Sequence, residues 1–164
     1  NLSANEVLEE VFRSNEFEEI VNYVLMLKVA GIDGNFSKDE KLFLRATLDI
    51  SPKSSALSEF ISNNEDLLNP LINLVPKHVK SDTKFIQSIV CNLFAISEQD
   101  GEVDKLEIGI IQNISTKIGM DAEDFEKVKK ETYSRVIKSG KRFYTGNIKE
   151  IISEAIESSK SAVS

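Results

Sequence analysis

The sequence AGIDGNFSKDE at residues 30–40 recurs in diverged form as SEQDGEVDKLE at residues 97–107. Both copies read Asp-Gly, any residue, an apolar residue, a short polar residue, Lys, any residue and Glu. Each copy follows a strongly apolar run and precedes a second one, and the two copies are 67 residues apart. This repetition predicts two related helix–loop–helix halves.

The rest of the chain is also predicted to be helical. Apolar residues recur at helical spacing, whereas the period-two alternation that indicates strands is absent. We therefore expect an all-α fold: a single compact bundle of seven to nine helices, with two pseudo-repeated helix–loop–helix halves around two central apolar helices. The expected helices span residues 5–13, 16–31, 37–51, 53–62, 67–74, 83–98, 104–118 and 121–139, with a last one around 148–156.

The length of 164 residues suits one domain over residues 1–164. We divide it into a short N-terminal helix at 5–15, a repeated core at 16–131, and C-terminal helices with a polar tail at 132–164.

Several local features follow from single residues. Gly31 is expected to end the second helix in the left-handed conformation. Phe60 is expected to face inward together with Leu57 and Ile61. Pro76 is expected to end the fifth helix, with Pro70 tolerated in its first turn.

Composition excludes several functions. The net charge of −7 disfavours nucleic acid and anionic membranes as ligands. No apolar run reaches the roughly 18–20 residues of a bilayer span, so no direct membrane insertion is expected. Cys91 is the only cysteine, which predicts a buried, inert thiol and a reducing, cytoplasmic location. His78 is the only histidine and is expected in a solvated surface turn, so a histidine-rich metal site is excluded.

The repeated motif resembles the second half of a calcium-binding EF-hand loop. With Gly34 at the loop's sixth position, Asp33 and Glu40 fall at ligand positions. With Gly101 there, Glu98, Asp100, Asp104 and Glu107 do so. The first ligand position, however, would be Val29 or Ile96, so neither loop alone supplies the six to eight oxygens that calcium needs.

Two interpretations of the motif stay open. Asp-Gly makes a tight turn, and Ser37 with Glu40, or Asp104 with Glu107, would cap the following helix without any metal. If the fold instead brings the loops together, the carboxylates of Asp33, Glu40, Asp100 and Glu107 would repel one another unless a cation neutralised them. Glu98 and Asp104 make the second loop the richer one.

The phrases LKVAGIDG at 27–34 with SKDE at 37–40, and DGEVDKLE at 100–107 leading to IGM at 118–120, resemble the TerB-like family of tellurite-resistance proteins. The resemblance covers about residues 16–131. It implies an all-helical, non-catalytic domain whose acidic residues form a proposed metal site. Related domains occur joined to membrane-bound J-domain co-chaperones. The chain departs from the pattern at Ile32 and Gln99, which replace the usual small residue before each Asp.

We therefore expect a cytoplasmic stress-response accessory domain that is not an enzyme. It would bind a divalent cation (calcium, magnesium or another) at the paired acidic loops. It would act as an adaptor for protein partners, including a membrane-associated complex. The competing hypothesis is a metal-independent protein-interaction module, similar to a co-chaperone, whose acidic loops only cap helices.

Overall fold

The computed structural model describes residues 3–31, 38–79, 83–97 and 105–138, and these segments contain eight α-helices and no strand. The all-α prediction is thereby confirmed, and the eight helices of these segments agree with the predicted seven to nine, while the last expected helix, around 148–156, lies outside the described residues. The side chains of residues 40, 43, 47, 83, 95–97, 105–107 and 132–138 lie outside this description. The helices are α1 (Ala4–Arg13), α2 (Phe17–Ala30), α3 (Lys38–Leu48), α4 (Pro52–Ser62), α5 (Glu65–Val79), α6 (Thr83–Ser97), α7 (Lys105–Lys117) and α8 (Ala122–Lys138).

Polar side chains accept hydrogen bonds from free backbone amides at the starts of four of the described helices, and at α5 Asn64 accepts from the Asp66 amide at 3.1 Å. Ser3 caps α1 through the Glu6 amide, at 3.3 Å. Ser51 caps α4 through the Ser54 amide, at 3.2 Å, with Pro52 at the first helical position. Asp121 accepts from the Asp124 amide at 2.8 Å and so caps α8.

The two central helices, α2 and α6, lie side by side and run parallel. The rings of Phe17 and Phe85, near the start of each helix, are 6.2 Å apart. Further along both helices, the Asn92 amide donates to the Asn22 side-chain oxygen at 2.9 Å. Most of their other side chains are fully buried, so α2 and α6 form the predicted apolar centre.

The directions of α3 and α7 relative to the central helices distinguish the two ends of the bundle. From Arg45 to Ser51 the chain follows α2 backwards, from Tyr23 to Glu16, so α3 runs antiparallel to α2. In the second half, Gly119 lies beside Ile86, so α7 ends near the start of α6. We call the end where α2 and α6 finish the loop end, and the end where they start the cap end. The predicted Asp-Gly segments leave α2 and α6 at the loop end.

The fifth helix is longer than predicted. Pro76 was expected to end it, but α5 continues to Val79 and contains both Pro70 and Pro76. Leu71 and Val75 are fully buried, and tertiary packing of this face outweighs the backbone hydrogen bonds that the prolines remove.

His78, predicted in a surface turn, is exposed but lies in the last turn of α5. Its ring stacks on that of Phe12, with centroids 3.8 Å apart. The contact joins α5 to α1.

The buried face of α4 also differs from the prediction. Phe60 was expected inside but is 56% exposed, whereas Ser54, Ser55 and Ser58 are buried against the bundle. The Ser55 and Ser58 hydroxyls donate to backbone carbonyls within their own helix, so their burial leaves no unpaired donor. Small side chains on this face let α4 pack closely on α2, the neighbour with which it shares its largest contact.

Two further single-residue predictions have opposite outcomes. Gly31 ends α2 with φ −76°, in the right-handed region, so the expected left-handed end is wrong there. Cys91 is buried as predicted, with 7% of its surface exposed. Among the helices that the structure describes, none combines the length and apolar character needed to cross a bilayer.

Candidate functional site

The structure describes none of the side chains of the six predicted metal ligands. Asp33, Glu98, Asp100 and Asp104 lie outside the described residues. The backbones of Glu40 and Glu107 belong to α3 and α7, but their side chains are not described. The proposed contact among these carboxylates therefore stays a prediction, as do the Ser37/Glu40 and Asp104/Glu107 caps.

The helices around these residues are nevertheless arranged in a strict repeat. Ala30 and Ser97, the last residues of α2 and α6, are 67 positions apart, as are Lys38 and Lys105, the first residues of α3 and α7. The same seven-residue interval thus separates the helices in both halves. Because α2 and α6 run parallel, both intervals start at the loop end.

The described residues contain a different polar arrangement, between α2 and α4. Glu16, just before α2, accepts three hydrogen bonds: from the Ser51 amide at 2.9 Å, the Ser51 hydroxyl at 2.6 Å and the Ser54 hydroxyl at 2.8 Å. The hydrogen bonds from the Ser51 and Ser54 side chains, then the one from the Ser51 backbone, hold the pKa of Glu16 below its usual range. Glu16 therefore ties the start of α2 to the start of α4.

Further along α2 from Glu16, a second polar contact joins three helices. Arg45 of α3 donates through Nε to the Tyr23 hydroxyl of α2 at 3.1 Å, and through Nη2 to Glu59 of α4 at 2.6 Å. Tyr23 is fully buried, and this burial raises the pKa of its hydroxyl. The hydrogen bonds to Tyr23 and then to Glu59 raise the pKa of Arg45, so its charge is permanent. We call this contact the Arg45 bridge.

Between these two contacts, Glu19 carries a buried carboxylate oxygen, Oε2, for which the described part of the chain offers no hydrogen-bond partner. The residue as a whole is only partly buried.

A groove of about 570 Å³ opens at the cap end between α1 and α4. Four of its charged side chains form two ion pairs. Glu9 lies 3.4 Å from Arg13, and Glu10 lies 3.4 Å from Lys53. Glu16, at its inner side, already accepts three hydrogen bonds. Within the described ranges, no group of three or more His, Cys, Asp or Glu residues could hold a metal ion.

Sequence reasoning missed both the Glu16 contact and the Arg45 bridge. Ser51 followed by Pro52 is a recognisable helix start, and this signal could have located the cap of α4. The partners Glu16 and Arg45 carry no such signal, since they lie in helical segments that read as ordinary charged surface. Only the folded arrangement brings them to Ser51 and Tyr23.

Comparison with known proteins identifies the family. Residues 19–130 match the family model described as tellurite resistance protein TerB, which covers most of the chain and nearly all of the predicted range. The match spans both Asp-Gly segments and the helices on either side of each. Neither the curated proteins nor the solved structures searched contain a match to this chain. Domains of the matched family are in general non-catalytic. By the extent of this match, the chain belongs to the TerB family.

Proposed function

We propose that this TerB-family chain is a non-catalytic accessory domain that binds one divalent cation with the carboxylates of its two Asp-Gly segments. In this role it would act as an adaptor for protein partners in a cytoplasmic stress-response assembly. Family membership supports the general class, and the repeated acidic motif supports the cation.

The parallel course of α2 and α6 is the observation that carries the proposal. In an antiparallel pair, the two segments would leave opposite ends of helices about 20 Å long. Here the Phe17–Phe85 contact and the Asn22–Asn92 hydrogen bond place both helix ends at the loop end. Both Asp-Gly segments therefore follow helices that finish at the same end of the bundle, which a shared site requires.

The residue types suit a hard cation. Asp33 and Glu40 from the first segment, with Asp100 and Glu107 from the second, offer carboxylate oxygens, the ligands that calcium, magnesium and manganese prefer. Glu98 and Asp104 would supply further oxygens from the second segment. A bound cation would neutralise carboxylates that otherwise repel one another.

Isothermal titration calorimetry with calcium, magnesium, manganese and zinc tests the proposal. We expect saturable binding of at least one of these cations to the wild-type protein. The Asp100→Ala/Glu107→Ala variant should lose it, because two of the four central carboxylates are gone. The Asp33→Ala variant should weaken it, which would show that both segments contribute.

The chain offers a matched control for this titration. Glu6→Ala/Glu9→Ala also removes two carboxylates, but both lie in the groove at the cap end. This variant should bind the cation as the wild type does. Equal loss in both double variants would indicate nonspecific attraction by the net negative charge, and no saturable binding in the wild type would contradict the cation site.

The metal-independent interaction module makes the opposite prediction for stability. A cation that binds only the folded chain raises its melting temperature. EDTA should therefore lower the melting temperature of the metal-loaded protein if the cation site exists. An unchanged melting temperature, together with a flat titration, would favour the interaction module.

A further inference from the structure

We propose that α3 docks and undocks as a unit on the surface formed by α2 and α4, and that Arg45 is the positioning residue that sets its docked place. The docking itself is independent of the proposed function. Its consequence for the cation rests on that function, because α3 carries Glu40.

The Arg45 bridge is the first observation behind this proposal. One guanidinium reaches both neighbours of α3: the Tyr23 hydroxyl at 3.1 Å and the Glu59 carboxylate at 2.6 Å. Arg45 and Glu59 keep 30% and 28% of their side-chain surface exposed, so water can enter when the contact opens. Tyr23, in contrast, is fully buried and would lose the donor that its hydroxyl pairs with.

The connections of α3 are the second observation. Asp49, directly after α3, has φ 56°, a left-handed conformation that is costly for a residue other than glycine. Two residues further on, Ser51 is held to Glu16 by two hydrogen bonds. A strained residue thus lies between the end of α3 and a fixed point, where a change of backbone angles would relieve strain as α3 moves.

The packing of α3 differs from that of its counterpart α7. Among the described elements, α3 packs mainly on α2, whereas α7 packs on α2, α5, α6 and α8. Leu42 of α3 is 49% exposed, although Leu44 and Leu48 of the same helix are buried, whereas Ile111 and Ile114 of α7 are both buried. Helices with fewer packed neighbours open at lower free energy than the rest of a fold.

Glu40 lies in the first turn of α3, five residues before Arg45. A helix moves as a rod over such a distance, so the position of Arg45 sets that of Glu40. A cation that needs Glu40 would therefore bind the docked state and hold α3 in place.

Hydrogen–deuterium exchange followed by NMR tests the docking. In the wild type, amides of α3 should exchange faster than those of α6 and α7. In Arg45→Met they should exchange at least about tenfold faster again, because both hydrogen bonds of the Arg45 bridge are lost and one such bond to a charged group accounts for about a factor of ten. Amides of α6 and α7 should keep their wild-type rates.

Two other variants serve as controls for this experiment. Arg13→Met removes an exposed arginine that pairs with Glu9 of its own helix, and it should leave α3 unchanged. Arg45→Lys keeps the charge and should restore part of the protection, which a purely apolar role of the side chain would not explain. If Arg45→Met accelerates all helices by the same factor, or none, the separate docking of α3 is wrong.

The coupling to the cation is tested by measuring the same hydrogen–deuterium exchange with calcium or magnesium added, whichever of the two binds. At a concentration of about 100 Kd, the cation should slow exchange in wild-type α3 up to about 100-fold. Unslowed exchange despite calorimetric binding would overturn the coupling. Absence of calorimetric binding would contradict the proposed function while the arginine variants still decide the docking.

Discussion

The two helix–loop–helix halves share their spacing and both bury apolar side chains, but the described polar contacts between their helices differ. In the first half, α2, α3 and α4 are joined by directional polar contacts, the Glu16 hydrogen bonds and the Arg45 bridge. In the second half, α6, α7 and α8 pack through apolar side chains, including the Phe94 and Phe125 rings at 5.4 Å.

Apolar packing and polar contacts contribute differently to the stability of the fold and to the positions of its helices. Apolar burial is non-directional and contributes most of the stability of a fold. Part-exposed polar contacts contribute less, depend on pH and salt, and fix the relative position of the groups that make them. The apolar packing of both halves is therefore expected to supply stability, and the polar contacts of the first half to set the position of α3.

The largest expected effect tests the apolar half. Phe125 of α8 is 2% exposed and packs on Phe94 of α6. Phe125→Ala should lower the free energy of unfolding by about 3–5 kcal/mol, because it removes buried area and leaves a cavity. Urea unfolding followed by circular dichroism measures the loss.

Phe60→Ala is the matched control for this substitution. It deletes the same atoms from α4, where the side chain is 56% exposed, and should change stability little. A loss below about 1 kcal/mol in Phe125→Ala would show that α8 contributes little packing energy to the second half.

These two phenylalanines also show how far the sequence predicts the fold. Apolar periodicity located the helices and their order well, because burial of apolar stripes is what the period records. It failed for α4, where Phe60 lies outside and Ser54, Ser55 and Ser58 lie inside. Helical periodicity assumes that the buried face is the apolar one, and a close helix pair with small polar residues breaks that assumption.

The site was less predictable than the fold, for a related reason. The repeated Asp-Gly motif marks both segments in the sequence, and its spacing matches the helix bounds of both halves. Whether the segments meet depends on the relative direction of α2 and α6, which no local pattern encodes. That direction appears only through contacts such as Asn22 with Asn92, residues that are 70 positions apart.

A smaller effect is expected from acid, and it should act on the polar half. The hydrogen bonds from Ser51 and Ser54 lower the pKa of Glu16, so its stabilising contribution is present above the carboxyl's ordinary pKa of 4.5. It is lost as the pH falls through the lowered pKa of the folded state. Glu16→Gln should therefore melt below the wild type at pH 7, and the gap should close as the pH falls well below 4.5.

Melting curves of both proteins between pH 3 and 7 measure this gap. Ser51→Ala, which removes the cap of α4 on the other side of the contact, should cost about 1 kcal/mol at pH 7. Glu10→Gln is the control, since among the described residues Glu10 pairs only with Lys53, whose side chain is 86% exposed. A gap that persists unchanged to pH 3 would mean that the charge of Glu16 does not support the first half.

The smallest effect concerns the residue after the second helix of each half. The Asp49 amide donates a hydrogen bond to the Ala46 carbonyl, and the Ile50 amide donates to the Arg45 carbonyl. The same pattern follows α7, where the Gly119 amide donates to the Thr116 carbonyl and the Met120 amide to the Ser115 carbonyl. Both ends are thus Schellman motifs, with a left-handed residue at φ 56° in Asp49 and φ 106° in Gly119. The second half uses glycine at this point, and the first half does not.

Asp49→Gly would make the two ends alike. It should raise the free energy of unfolding by about 0.5 kcal/mol, since relief of the left-handed strain exceeds the entropy that glycine adds to the unfolded chain. Ala46→Gly, at an exposed position inside α3, should lower it by about 0.5–1 kcal/mol. If both substitutions destabilise equally, Asp49 is not strained in solution. If Asp49→Gly stabilises and also slows exchange in α3, that strain is what loosens the first half relative to the second.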